Sequence, residues 1–101
     1  MISKKIKEIA KERIEILFDL AEKEFDEHPE RSNRYVRIAR KILMKVQEKM
    51  PKKYVFNYCK KCHHYLKVGK NATIRKKKNF VNLTCKDCNF TRKIYVNKKN
   101  N

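Results

Sequence analysis

Cys59-Lys60-Lys61-Cys62 and, after a further 22 residues, Cys85-Lys86-Asp87-Cys88 are the stretches on which the fold turns. Two cysteines separated by two residues can present both sulfurs to one metal ion through a tight turn. Two such turns facing each other complete a tetrahedral site of four sulfurs, and the residues between them suffice for a β-hairpin. Four protein ligands leave no open coordination position. The metal expected on Cys59, Cys62, Cys85 and Cys88 is therefore structural, one Zn²⁺ per chain, and activates no water. A single iron also suits four sulfurs, as in an electron carrier. Lys60, Lys61 and Lys86 flank the turns and favour the thiolate form. Cys59 to His63 also spells a haem-attachment string, but the second cysteine pair has no part in that chemistry. His63 and Asn89 each follow the second cysteine of a pair, where positive φ is commonly required. His and Asn are among the residues that tolerate it, so His63 and His64 are read as turn residues rather than ligands.

Working outward from the cysteines, the remaining apolar pattern divides the 101 residues into two small halves. From Ser3 to about Asp26, Ile6, Ile9, Ala10, Ile14, Leu17, Leu20, Ala21 and Phe25 recur at three- and four-residue steps, which predicts an amphipathic helix capped by Ser3 and ended at His28-Pro29. A second helix is expected from Ser32 or Asn33 to about Lys49. Its apolar face is Tyr35, Ile38, Ala39, Ile42, Leu43 and Val46, and Pro51 stops it. The short link makes the pair an antiparallel hairpin. Beyond Pro51 the pattern changes to β-type stretches at Tyr54 to Tyr58, Ala72 to Arg75, Phe80 to Thr84 and Phe90 to Val96, with a turn at Lys76 to Asn79. The expected fold is α+β: an N-terminal antiparallel two-helix hairpin over residues 1–50, a small antiparallel-sheet zinc ribbon over 51–97, and a frayed basic tail over 98–101. Neither half can bury much apolar surface, so the second leans on its metal.

The formal charge of +17 is unevenly placed. Residues 1–30 carry six Lys/Arg against nine Asp/Glu, residues 31–50 seven against one, and residues 51–101 fifteen against Asp87 alone. Solubility would explain a few lysines but not fifteen against one acid. Such a field attracts a polyanion, and in the absence of a lipid-inserting helix that polyanion is nucleic acid. Candidate phosphate contacts are Lys52 and Lys53, the run Arg75, Lys76, Lys77 and Lys78, Arg92 and Lys93, and the stripe Arg34, Arg37 and Lys41 on the second helix. Lys45 continues that stripe, which also reads as a solvated face. The acidic stripe of the first helix, Glu8, Glu12, Glu15, Asp19 and Glu22, suits a basic protein partner instead. Seven of the ten aromatics follow Pro51, and most of them are expected in the core, with one or two tyrosines left for base stacking.

No catalytic set is visible: Asp87 lies inside a metal turn, and His63 and His64 have no serine or free cysteine beside them. An autonomous enzyme and a small-molecule substrate are not expected. The chain opens Met1-Ile2-Ser3-Lys4-Lys5 and nearby has no apolar run longer than Ile16-Leu17-Phe18, so neither a signal peptide nor a membrane span is expected, and a cytoplasmic location is. In a reducing cytosol paired cysteines hold metal rather than a disulfide.

Tyr58-Cys59-Lys60-Lys61-Cys62, then Leu66, Gly69, Asn71 and Ile74-Arg75, then Thr84-Cys85-Lys86-Asp87-Cys88 together resemble archaeal ribonuclease P protein component 4. The cysteine pairs are common to many zinc ribbons; the residues between them narrow the choice. Two helices before a ribbon, with a proline at the junction, are also similar to that family. His63 and Asn89 stand where the family usually has glycine, and Val68 where proline before Gly69 is common. The resemblance implies an accessory subunit of ribonuclease P, in which RNA performs the endonucleolytic removal of the 5′ leader of precursor tRNA. It also implies binding to the ribonuclease P RNA and precursor tRNA, and pairing with ribonuclease P protein component 1 through the N-terminal helices. The rival readings are a DNA- or polymerase-associated zinc ribbon of the transcription machinery, a ribosomal zinc-ribbon protein, and an iron electron carrier.

Overall fold

A computed structural model describes residues 3–95; Val96, expected to end the last strand, and the expected tail 98–101 lie outside the described residues. Helix α1 spans Lys4–Glu24, and Ser3 caps it by accepting a hydrogen bond from the Ile6 N–H at 3.2 Å. Helix α2 spans Pro29–Lys45. Its start corrects the expected one. Pro29 opens the helix at its first turn, where a missing N–H costs nothing and the fixed φ is already helical. The C-terminus differs too. Gln47 takes a φ of 58°, and the Glu48 N–H donates back to the Leu43 carbonyl at 2.9 Å, closing a Schellman motif several residues before Pro51.

The helices are antiparallel. Ser32 Oγ donates to the Ala21 carbonyl and Arg31 reaches Glu24 at one end, while Lys7 pairs with Glu48 at the other. Their shared seam differs in part from the expected one. Ala10, Ile14, Phe18 and Ala21 of α1, with Phe25 just beyond it, meet Val36, Ala39 and Leu43 of α2, and the apolar arc of each helix is wider than one partner can cover. Ile6, Ile9, Ile16 and Ile38 are left exposed.

Tyr54 to Tyr58 is not a strand. Lys52–Tyr54 forms a short 3-10 turn, and Tyr58 makes only an isolated bridge to Tyr65. The reason is packing: Tyr54, Tyr58 and Tyr65 are drawn into the helical core. The Tyr54 ring stacks on Phe18 at 4.2 Å, and Tyr65 sits 5.6 Å from Phe25. Burial pushes the Tyr65 hydroxyl up to about 12. Each such ring contributes about 1.5–3 kcal/mol of apolar burial. The Tyr65 N–H also donates to Asn33 Oδ1 of α2 at 2.8 Å.

The sheet follows as β1 Ala72–Lys76, β2 Phe80–Cys85 and β3 Thr91–Tyr95, in the order β1-β2-β3 with both pairings antiparallel. Its buried face joins Ala72, Leu83 and Cys85 to Cys59 and Leu66 in a second, smaller core beside the cysteines. Gly69, at φ 95°, turns the chain into β1.

Replacing Asn33 with alanine strands the Tyr65 amide while leaving both helices intact. We expect a loss of about 1–3 kcal/mol in chemical denaturation; unchanged stability would show that this bond does not couple helix to ribbon.

Candidate metal centre and nucleic-acid interface

The four cysteines meet at one point. Their sulfurs all lie within 4.8 Å of one another, with Cys59 to Cys88 at 3.6 Å and Cys62 to Cys85 at 3.7 Å. A tetrahedral ion bonded to four sulfurs at about 2.3 Å has an edge of about 3.8 Å. A disulfide requires about 2.05 Å. The spacing therefore fits a metal ion and not a pair of disulfides.

Both turns are built alike. The His63 N–H donates to the Cys59 carbonyl at 2.9 Å, the Asn89 N–H to the Cys85 carbonyl at 2.7 Å, and both residues adopt φ 62°. This is the conformation anticipated for them as turn residues, and neither belongs to the sulfur cluster. Burial pushes the Cys62 and Cys85 thiols up. On Cys59 burial acts the same way, but N–H donors from Cys62 and Lys61 and the neighbouring sulfurs outweigh it, holding that thiol below its ordinary value. One sulfur is thus disposed to ionise, and Cys62 and Cys85 become good ligands once a cation offsets their desolvation.

A polar network that the residue types did not reveal braces the cysteine turns. Asn71 Oδ1 accepts from the Lys67 N–H at 2.8 Å, and its Nδ2 donates to the Tyr65 carbonyl at 2.8 Å and lies 3.4 Å from Asp87. Asp87 Oδ2 is 3.0 Å from His64 Nδ1, and the Asn71 carbonyl accepts from the Lys86 N–H at 2.9 Å. Asn71 carried a signal only through the family resemblance. Asp87 joins the two halves of the centre.

The candidate cations are spread over several elements. Arg34, Arg37 and Lys41 are exposed on α2, Lys52 and Lys53 on the 3-10 turn, and Arg75 to Lys78 at the end of β1 and its turn. Lys53 is paired with Glu15 at 3.1 Å. Asp26, at the end of α1, faces Lys67 and Lys70. Part of the acidity of the first helix region is thus answered within the chain, by exposed pairs of small individual value. Lys93 and Arg92, neighbours on β3, point to opposite faces. Lys93 lies over Phe80 at 4.5 Å, while Arg92 lies over Tyr58 at 5.6 Å and is half-buried. Arg92 belongs to a crevice between α2 and the ribbon that also holds Arg40, Tyr58 and Lys60. Arg40 was not among the expected contacts, because the sequence does not show that the ribbon folds back against that side of α2.

No helix among the described residues is long and apolar enough to cross a membrane.

Comparison with known proteins gives a consistent result. The family described as "RNAse P Rpr2/Rpp21/SNM1 subunit domain" matches residues 13–89. The chain is 48% identical over 92 residues to ribonuclease P protein component 4 of Methanobrevibacter smithii, covering 91% of this chain and 76% of that one. It is 42% identical over 95 residues to the protein of the same name from Methanosphaera stadtmanae, covering 94% and 91%. Among solved structures, a chain in a cryo-EM structure of archaeal ribonuclease P with mature tRNA superposes with a TM-score of 0.82 at 39% identity, covering 99% of this chain and 87% of that one.

Cys59→Ser should abolish stoichiometric metal binding and the sheet contribution to circular dichroism while the helical signal largely persists. Retained metal with an unchanged sheet signal would contradict a structural centre.

Proposed function

The chain belongs to the RNAse P Rpr2/Rpp21/SNM1 subunit family, and on that premise we propose that it acts as a protein subunit of ribonuclease P, the ribonucleoprotein endonuclease that removes the 5′ leader of precursor tRNA. The observation that carries this reading is the match of the whole helix-ribbon architecture to a chain of archaeal ribonuclease P. The subunit assists and does not perform the chemistry, which belongs to the RNA. Its Lys and Arg side chains neutralise phosphates that folding brings close together, stabilising the catalytic RNA and aiding substrate recognition. Such contacts position RNA without reading its sequence.

We assign zinc to the four cysteines. Four thiolates in a closed tetrahedron suit a redox-silent ion whose contribution is folding energy, and the basic ribbon around them has the make-up of a polyanion binder rather than an electron carrier. Bound there, zinc holds the two turns together and offers no site for substrate. A colourless protein containing one zinc supports this; a red protein with thiolate-to-iron absorption would overturn it.

The halves divide the labour in this account. Residues 51–97 supply the RNA-facing cations Lys52, Lys53, Arg75, Lys76, Lys77, Lys78 and Lys93, with Arg92 set back in its crevice beside Arg40 and Lys60, and Arg34, Arg37 and Lys41 extending the surface onto α2. Residues 1–50 contact the protein partner, ribonuclease P protein component 1. Support for that contact lies in the exposed isoleucines of the hairpin and in the groove between the helices formed by Ile9, Ile16, Ile38 and Ile42, with Glu12 and Arg13 at its edge. A surface of this kind is costly to leave in water and complements a partner with basic and apolar groups. A ribonucleoprotein subunit of this type works in the cytoplasm.

Two measurements test the reading. Replacing Arg75, Lys76 and Lys77 with alanine should weaken binding to ribonuclease P RNA and reduce the log-log salt slope by about 2–3 units. An unchanged slope removes these residues from the interface, and equal affinity for duplex DNA at matched salt favours the transcription-type rival. Ile16→Glu, at a site already 58% exposed, should abolish co-purification with component 1 while the fold persists; undiminished capture would place that partner elsewhere.

A further inference from the structure

The sheet has two faces of opposite character. Val81, Leu83 and Cys85 of β2 are buried, and the alternate residues point the other way. Cross-strand register sets Arg75 opposite Asn82 and Asn82 opposite Lys93, a polar row running across all three strands. Next to that row Phe80 faces Tyr95, their ring centres 5.8 Å apart and inclined at 62°. Lys93 Nζ lies 4.5 Å from the Phe80 ring centre and 5.9 Å from that of Tyr95. At the same end the chain turns through Lys77 and Lys78, with the Lys77 N–H bonded to the Phe80 carbonyl.

Tyr95 stands apart from the other tyrosines of the ribbon half. Tyr54, Tyr58 and Tyr65 are no more than 9% exposed, whereas Tyr95 is 69% exposed. Its ring meets Phe80 across the strands, and no acidic residue lies on β1, β2 or β3. Asp87, the one acid of the ribbon, is tied to His64 beside the cysteines. An exposed ring set against a cross-strand aromatic, with Lys93 beside it and further cations on the same sheet face, is what an unpaired base requires: a π face for stacking and positive charge for the phosphates on either side.

We propose that this sheet face is a stacking platform for an unpaired nucleotide of RNA, with the base on Tyr95 and the flanking phosphates on Arg75, Lys93 and the Lys77-Lys78 turn. The inference rests on the reading that the chain binds RNA and adds to it a place and a mode. Phosphate contacts alone do not distinguish a strand from a helix. A stacked base does, because a base inside a duplex has no free face. The platform therefore gives a protein dominated by charge a preference for bulges, loops or single-stranded ends.

The test uses the full metal-loaded chain and two probes: a single-stranded oligoadenylate of about ten nucleotides carrying one 2-aminopurine, and an RNA duplex of the same length. With the wild-type chain, binding should quench the 2-aminopurine. Tyr95→Ala should lower single-strand affinity by about tenfold and abolish the quenching, with the salt slope and duplex binding unchanged. Tyr95→Phe should restore both, since the ring and not the hydroxyl is used. Arg75, Lys77 and Lys78 changed together to alanine should weaken both probes and flatten both slopes. Wild-type single-strand affinity in Tyr95→Ala, or equal losses on both probes, would overturn the platform. A wild-type chain that binds duplex but not single strand also overturns it while leaving RNA binding standing. A wild-type chain that binds neither probe refutes the RNA reading itself.

Discussion

Fifteen Lys and Arg against one acid within residues 51–101 is a charge distribution that opposes its own compaction. The ribbon core that must resist it is small: Cys59, Leu66, Ala72, Leu83 and Cys85. A core of that size is marginal without a staple. The convergence of four sulfurs to within 4.8 Å supplies one. When the cysteines ionise onto a divalent cation, the site as a whole becomes anionic by about two units. It then both cross-links the turns and lowers the field at the centre of the positive charge. Everything else the ribbon presents depends on this: the sheet register, the orientation of Lys93 and Arg75, and the position of the lysine turn.

The ribbon is also anchored to the helices. Tyr54, Tyr58 and Tyr65 complete a core that two short helices could not close alone, and the Asn33 to Tyr65 hydrogen bond fixes the register between them. Glu15 and Asp26 at the surface take up Lys53, Lys67 and Lys70, so the acidic first helix acts partly as an internal counterweight to the ribbon. The outward isoleucines of the hairpin have no such internal use. Under the proposed function, one part of the molecule keeps an apolar surface for a protein while another keeps a cationic surface for RNA.

Much of this was legible in the residues. The CxxC pairs announced four ligands and two turns, the change from helical to strand spacing at Pro51 located the junction, and the apolar periodicity gave both helices. The misreadings share a cause: local patterns do not say what a segment packs against. Pro29 reads as a stop for α1, yet α1 ends at Glu24 and the same ring begins α2. Phe18 fell outside the expected stripe because the apolar arc of α1 is broad, and only the presence of Tyr54 selects it. Tyr54 to Tyr58 alternates like a strand but is pulled into the helical core as a turn. Arg40 gains its importance from Tyr58, Lys60 and Arg92, and Asn71 from Tyr65, Lys67 and Asp87, through contacts that no periodicity encodes. The cations were identifiable as a class, whereas their sorting into the sheet row, the Arg92 crevice and internal ion pairs required the fold.

Under the proposed function the metal centre does not touch RNA but holds the cationic surface in the shape that RNA requires. Charge and geometry make opposite forecasts when the metal is removed, because replacing a zinc thiolate cluster by four neutral thiols leaves the chain more positive by about two units. The direct measurement is affinity for ribonuclease P RNA at fixed salt, with the chain metal-loaded, stripped by a chelator under reducing conditions, and reloaded with zinc. The account predicts that affinity falls on stripping despite the added positive charge, and returns on reloading. Affinity that is unchanged or higher in the stripped chain would contradict it.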